Sequence, residues 1–478
     1  MAILEFALVS SVFFSNLIKM EMGDDMAKFA DFFEVSQTVD WIQSNGYKRV
    51  ALQLPDSFVK YAFSLSQALQ TESAKRRDSS SNIHAFETFV LADTSYGECC
   101  VDQIAASHNA ADSLVHYGRS CLSRPTFLPT LLVFCDLGRN LSMDPFVKFI
   151  SEKGFKRVFI ELDVRYEGAR DRLKRALEEA GCSELRFSNP PPQVLVPLSV
   201  NPEVDEEETI DYSMFECVLF VGPRYSPQLD RVAFACATLE GCEVYSLDTE
   251  TLEVSRSQAN RALAKRFVMV EKAKDASIIG ILIGTMSVAL FRDVLDRVKK
   301  VIDDSGRKSY SFVFGKLSPS KLANFPDVDA FVLVACRYNT LIDSKEFNKP
   351  IVTPYELEVA LSGREWGQYA WDFTSLLLSA EDAAATTTTD KKKSDDNEDE
   401  EVHFSLASGK VIHRQRKPAV QTLALRYESP AANSLAERTF RGLDPAANHL
   451  TPAKAAKGQV GIASKLYQMD DLNKEQPR

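Results

Sequence analysis

The sequence predicts an α/β protein of three homologous small domains, each an open parallel sheet flanked by helices, set around a central site. Three observations predict it. From about residue 48, short apolar runs rich in Val, Ile, Leu and Phe alternate with polar-punctuated stretches, as in parallel βα units. The ten such runs are too many for one sheet of this kind. Finally, "FVGPRYSPQLD" from Phe220 and "LVACRYNTLID" from Leu333 share Val, Arg, Tyr and Asp in register, each after an apolar run. They read as the same βα turn in two repeats, with the turn after "FVLAD" as its counterpart in the first.

Taken in order, strands are expected at 49–55, 87–93, 112–118 and 130–136, then at 157–163, 217–223 and 242–248, and last at 277–285, 309–316 and 330–337. Apolar positions recurring at three and four place helices at 164–180, 228–240, 256–274 and 286–304. The chain divides accordingly into an N-terminal extension (1–44), three α/β domains (45–152, 153–272 and 273–378), a linker (379–402) and a tail (403–478). The linker is low-complexity, charged and without apolar periodicity, which predicts disorder. In the tail, the alternating "VHFSLASGKVI" suggests a hairpin strand, and "FRGLDP" and "GQVGIAS" are Gly-bearing turns.

Across 478 residues, 45% hydrophobic and 26% charged content is that of an ordinary globular protein. A net charge of −11 argues against an electrostatic nucleic-acid binder. Residues 381–401, with nine acidic and three basic side chains, contribute −6 of it. Nine scattered cysteines with no convincing export signal suggest reduced thiols or metal ligands in a cytosolic protein. The apolar start "MAILEFALVSSVFFSNLIKMEMGDD" lacks a basic leading region, contains Glu5 and is short for a membrane span, so it is read as an unstructured start in preference to a cleaved signal or anchor, and no membrane partner is expected.

Ligands of open parallel sheets collect at the carboxyl ends of strands. Cys100, Cys121 and Cys336 fall there, whereas Cys135, Cys217, Cys236 and Cys242 sit in strands or a helix as small hydrophobes, and Cys182 lies in a loop. Adjacent Cys99 and Cys100 on an extended backbone do not readily reach one metal together. Cys100 is favoured, because it precedes the helix start "VDQIAA" beside Gly97. Zinc usually recruits C-x-x-C knuckles, which are absent here. His108 and His116 could complete a zinc site, yet a lone histidine at a strand end is more often structural. Three soft thiolates from separate elements suit an iron–sulfur cluster. By spacing alone, core cysteines rank first, a cluster second and zinc third.

Other chemistry is sparse. The sequence holds no P-loop, no G-x-G-x-x-G at a strand-to-helix turn, no G-x-S-x-G elbow and no H-E-x-x-H helix. Gly284 and Thr285 in "LIGTMS" stand at an expected helix start that could hold an anion, although such a glycine more often makes a tight turn. Lys316 and Lys321 are basic groups near a strand end, solvated by default. No residue is assigned a catalytic role.

The stretches "DTSYGECCVDQIAASHNAADSLVHYGRSCLS", "GKLSPSKLANF" and "FVLVACRYNTLIDSKEFNKPIVTPYELEVAL" together resemble the diphthamide biosynthesis family, and within it the subunit 2 branch of the 2-(3-amino-3-carboxypropyl)histidine synthases. The match runs from about 45 to 375, and "FRGLDP" and "GQVGIAS" extend it. The resemblance implies a central [4Fe–4S] cluster on Cys100, Cys121 and Cys336, with one iron left without a protein ligand. Where related subunits take a ligand from the middle domain, this chain has Pro223, which favours the subunit 2 branch.

The implied reaction uses S-adenosylmethionine to place a 3-amino-3-carboxypropyl group on a histidine of translation elongation factor 2. In the family picture the cleavage belongs to subunit 1, and subunit 2 helps keep that cluster reduced. The implied partners are therefore subunit 1 in a heterodimer, elongation factor 2, and a small electron-carrier protein with its reductase. The alternative is a non-redox scaffold, zinc-binding or metal-free, that stabilises the partner and docks the elongation factor.

Overall fold

A computed structural model describes residues 26–378 except 80–83, 93–96, 201–209, 225, 238, 240, 258, 316, 343–345 and 368, together with 400–406 and 409–415. The first 25 residues, Lys316, most of the expected linker, and "FRGLDP" and "GQVGIAS" lie outside the described residues.

Three parallel sheets form the body. The first contains β1 (Arg49–Gln53), β2 (Glu87–Val90), β3 (Ser113–Tyr117) and β4 (Thr130–Val133), ordered β2-β1-β3-β4. The second contains β5 (Arg157–Leu162), β6 (Glu184–Phe187), β8 (Cys217–Gly222) and β9 (Glu243–Asp248), ordered β6-β5-β8-β9. The third contains β11 (Ile278–Ile283), β12 (Lys308–Val313), β13 (Ala330–Val334) and β14 (Ile351–Val352), ordered β12-β11-β13-β14. Counted within each sheet, the parallel order is 2-1-3-4 every time. The inner strands β3, β8 and β13 are buried along their whole length, which is why β8 and β13 read as continuous apolar runs.

Two short strands join antiparallel. β10 (Val254–Arg256) borders the second sheet, whereas β7 (Val194–Leu195) leaves the stretch expected in the second domain and pairs with β4 of the first.

The helices are α1 (Met26–Phe32), α2 (Val35–Ser44), α3 (Ala62–Ser79), α4 (Gln103–His108), α5 (Asp144–Lys153), α6 (Arg170–Glu179), α7 (Pro227–Cys236), α8 (Ala259–Asp275), α9 (Phe291–Asp304), α10 (Pro319–Ala323) and α11 (Pro354–Leu361). Residues 26–44, expected as an extension, form α1 and α2 and bury Phe29, Phe33, Val35, Val39 and Ile42 against Val50, Leu52, Phe58, Val115 and Tyr117. Their apolar residues at i, i+4 and i+7 give α2 a face that needs covering. α9 begins five residues later than expected, because Leu290 takes a left-handed conformation (φ 66°) immediately before it.

The acidic run also ends sooner than expected. Residues 400–404 are β15 (Glu400–Phe404), which pairs with β16 (Val411–Gln415) in a hairpin that places Glu401 opposite Arg414. The Ser405 hydroxyl donates to Asp275 at the end of α8 (2.6 Å), tying the hairpin to the third sheet's helix.

Candidate metal centre

The loops that leave β2, β3 and β13 converge at the carboxyl ends of their sheets and bring four cysteines together. The Sγ atoms of Cys99, Cys100, Cys121 and Cys336 all lie within 4.8 Å of one another. Cys99 is 3.8 Å from Cys336, and Cys121 is 3.9 Å from Cys100. Cys100, Cys121 and Cys336 are buried, whereas Cys99 is partly exposed.

Local backbone chemistry holds each loop. Cys100 N–H donates to Gly97 O (3.1 Å), so residues 97–100 turn rather than extend. Buried Gln53, the last residue of β1, clamps the loop from both sides: its amide donates to Cys100 O (2.7 Å) and accepts from Asp102 N–H (2.9 Å). Asp102 then caps α4 by accepting from Ala105 N–H (3.0 Å). Cys121 N–H donates to Cys99 O (3.0 Å), and the Arg337 side chain donates through Nε to Cys121 O (2.7 Å), so the three loops are joined by two backbone groups and one guanidinium. The Asn339 amide donates to both Cys99 Sγ (3.4 Å) and Cys336 Sγ (3.3 Å). A Cβ on Gly97 would lie 2.2 Å from that amide nitrogen, so glycine leaves the room Asn339 uses.

The second sheet supplies polar groups instead of a thiol. Arg119, two residues before Cys121, pairs with buried Asp163 (3.2 Å), hydrogen-bonds Ser226, and lies 5.0 Å from the centroid of the Tyr338 ring. Tyr338 donates to Gln228 (3.2 Å), whose amide donates to buried Glu161 (2.7 Å). Burial disfavours the Asp163 carboxylate, but Arg119 and Arg165 outweigh it and hold its pKa below the usual carboxylate range.

Among the thiols, hydrogen bonding from Cys100 first, then Cys336 and Cys99, holds Cys121 well below the ordinary thiol range. Hydrogen bonding to Cys121 first pushes Cys100 well above it. The Cys121 thiolate forms readily while Cys99 and Cys100 resist, because negative sulfurs packed in a dry pocket repel one another. A cation removes that obstacle, so binding releases protons. The donor set therefore fits a soft, thiophilic centre. The 3.8–3.9 Å spacings match the roughly 3.8 Å tetrahedron edge implied by Zn–S bonds of about 2.3 Å. A larger iron–sulfur cluster needs these sulfurs to swing outward.

Cys99 is the residue that sequence reasoning set aside, on the premise of an extended backbone that the turn at Gly97 removes. The repeat counterpart also moves: the loop equivalent to "GPRYS" and "ACRYN" follows β3 and carries Cys121, rather than following β2. Neither histidine joins the site. His108 is exposed at the end of α4, and His116 lies within β3, its Nε2 donating to Arg119 O (3.1 Å). Gly284 closes the end of β11 by donating to Val334 O (2.9 Å), Thr285 is buried beside it, and α9 starts well beyond. Lys321 is exposed on α10. Cys135, Cys182, Cys217 and Cys236 are buried away from the quartet, and Cys242 is partly exposed.

Like sheets meeting at a buried thiol centre define an α/β protein whose donor set fits a soft metal group. The diphthamide synthesis protein family model matches residues 54–371. Curated relatives called 2-(3-amino-3-carboxypropyl)histidine synthase subunit 2 are 33% identical in Danio rerio, over 90% of each chain, and 34% identical in Gallus gallus, over 91% of this chain and 92% of that one. A solved structure, Dph2 from Pyrococcus horikoshii with a 4Fe-4S cluster, superposes with a TM-score of 0.52 at 23% identity, covering 71% of this chain and 93% of that one. The chain belongs to the diphthamide synthesis family, and the two curated relatives named above are both called subunit 2.

Proposed function

We propose that this chain is the subunit 2 of a cytoplasmic heterodimer that transfers the 3-amino-3-carboxypropyl group of S-adenosylmethionine to a histidine of translation elongation factor 2. Its own part is to hold a [4Fe–4S] cluster on Cys100, Cys121 and Cys336 and to help keep the catalytic cluster of subunit 1 reduced. A small electron-carrier protein and its reductase supply the electrons. When bound, the cluster supplies one-electron transfer. The chain's residues supply the thiolates, the hydrogen bonds of Asn339 to two sulfurs, and buried surroundings that limit water.

The observation that carries this reading is the convergence of buried thiols from two sheets in a member of this family. Against a catalytic role stands the middle-sheet loop, where Pro223 and the Arg119–Asp163 pair offer no ligand. A second reading, a zinc-holding scaffold that docks the elongation factor, is favoured by the sulfur spacing.

Iron, zinc and acid-labile sulfide on the anaerobically co-purified heterodimer separate the two, with electron paramagnetic resonance after reduction. Cys100→Ala, Cys121→Ala and Cys336→Ala should each remove the cluster signal of this subunit while Cys135→Ala leaves it. Unchanged iron in all three, or zinc in place of iron, would overturn the cluster reading.

A further inference from the structure

We infer that Cys99 is a fourth protein ligand to the centre, closing the coordination position that a three-cysteine site leaves open to substrate. The inference rests on the cluster reading above and deepens it. Cys99 Sγ belongs to the same 4.8 Å group as the other three sulfurs and lies 3.8 Å from Cys336. The residue as a whole is partly exposed, yet its sulfur sits within the same buried group.

The surroundings of Cys99 are those of a ligand rather than of a bystander thiol. Metal ligands are typically oriented by hydrogen bonds from a surrounding shell. Asn339 donates to Cys99 and Cys336 alike, at 3.4 and 3.3 Å. The backbone carbonyl of Cys99 is fixed by Cys121 N–H, so the loop that carries one sulfur is tied to the loop that carries another. A glycine at 97, where a Cβ would meet the Asn339 amide at 2.2 Å, keeps this arrangement possible. Four thiolates complete a cluster's protein ligation. With no iron left open, S-adenosylmethionine has nowhere to ligate on this chain, and the cluster can only pass electrons.

The test is made on the anaerobic heterodimer whose partner subunit has been stripped of its own cluster by substitution of its ligands, so that only this chain's iron is seen. An iron lacking a protein thiolate is the first lost under mild oxidation. With Cys99 in place, ferricyanide should yield no [3Fe–4S] signal, and S-adenosylmethionine should leave the reduced-cluster spectrum unshifted. Cys99→Ala should keep its cluster, give the [3Fe–4S] signal with ferricyanide, and shift its spectrum with S-adenosylmethionine. If the unsubstituted chain already shows both responses, or if Cys99→Ala matches it in both, Cys99 is no ligand.

Should Cys99→Ala lose all its iron, Cys99→Ser, which retains an oxygen donor, decides: a cluster with altered g-values supports the fourth ligand, and an unaltered spectrum overturns it. Should the heterodimer hold zinc and no iron, the cluster reading falls by itself. The ligand assignment is then settled by chelator competition, where Cys99→Ala must weaken zinc binding at least tenfold to stand.

Discussion

Gln53 shows how one side chain can position a centre without touching it. Its amide satisfies Cys100 O and Asp102 N–H together, so the turn that aims two sulfurs inward is fixed from the end of a buried strand. Nothing in "RVALQLP" signals this, because the partner lies 47 positions away. Cys100, Cys121 and Cys336 were legible as strand-end thiols. Cys99 was not, since its placement depends on a turn over residues 97–100, beside the room Gly97 leaves for Asn339, and neither leaves a periodic trace.

His116 carries a pH prediction at the same scale. Burial disfavours the imidazolium and holds its pKa below the ordinary 6.5, and its Nδ1 finds no hydrogen-bond partner among the described residues. The unfolded chain therefore takes up the proton first, so this contribution to stability is complete above about pH 6.5 and is lost as the pH falls below it. Urea midpoints should fall between pH 7.5 and 5.5, and His116→Gln should flatten part of that slope. Equal slopes in both proteins would refute the assignment.

Individual elements divide by length and burial. All ten expected strands form: inner ones such as those in "CVLFVGP" and "AFVLVACR" are buried along their length, while β2 and β12 form at sheet edges with little burial. The missed ones, β6, β7, β10 and β14, are two to four residues long, too short for a pattern. α1 and α2 were missed for another reason: the apolar start of the chain drew them into an extension. Their aromatics lock onto the first sheet, with Phe33 wholly buried and edge-on to Phe58 and Tyr117 at centroid distances of 5.5 and 5.9 Å. Phe33→Ala should cost about 3–5 kcal/mol in denaturant unfolding; a loss below about 1 kcal/mol would mean that the two helices only rest on the surface.

α11 offers a second lever. Thr353 and Glu356 form a capping box, and buried Glu356 also receives Arg266 and the Tyr369 hydroxyl. Glu356→Gln leaves the Arg266 charge buried without its counter-charge, which should destabilise by about 3–5 kcal/mol. A thermal scan that finds Glu356→Gln as stable as the unsubstituted chain would show that water reaches Arg266.

Over the whole molecule, one strand order is used three times, yet the centre draws thiols from only the first and third sheets. The division into several like sheets was legible in the number of apolar runs and in the repeated "RY" turn. The crossing of β7 back to the first sheet was not, because only tertiary pairing dictates it. A centre bound in the folded state alone stabilises by mass action, so loading should raise the melting temperature and chelation should lower it. An unchanged melting temperature would mean that the sulfurs meet without needing the metal.

Cys99 and Cys336 are 237 positions apart, and the entire second sheet lies between them in the chain. A filled centre therefore closes a ring of polypeptide around that sheet. In the chain-entropy picture a covalent link across so long a loop is worth on the order of 5 kcal/mol. A protein nicked once between the two would keep its halves joined for as long as the metal stayed.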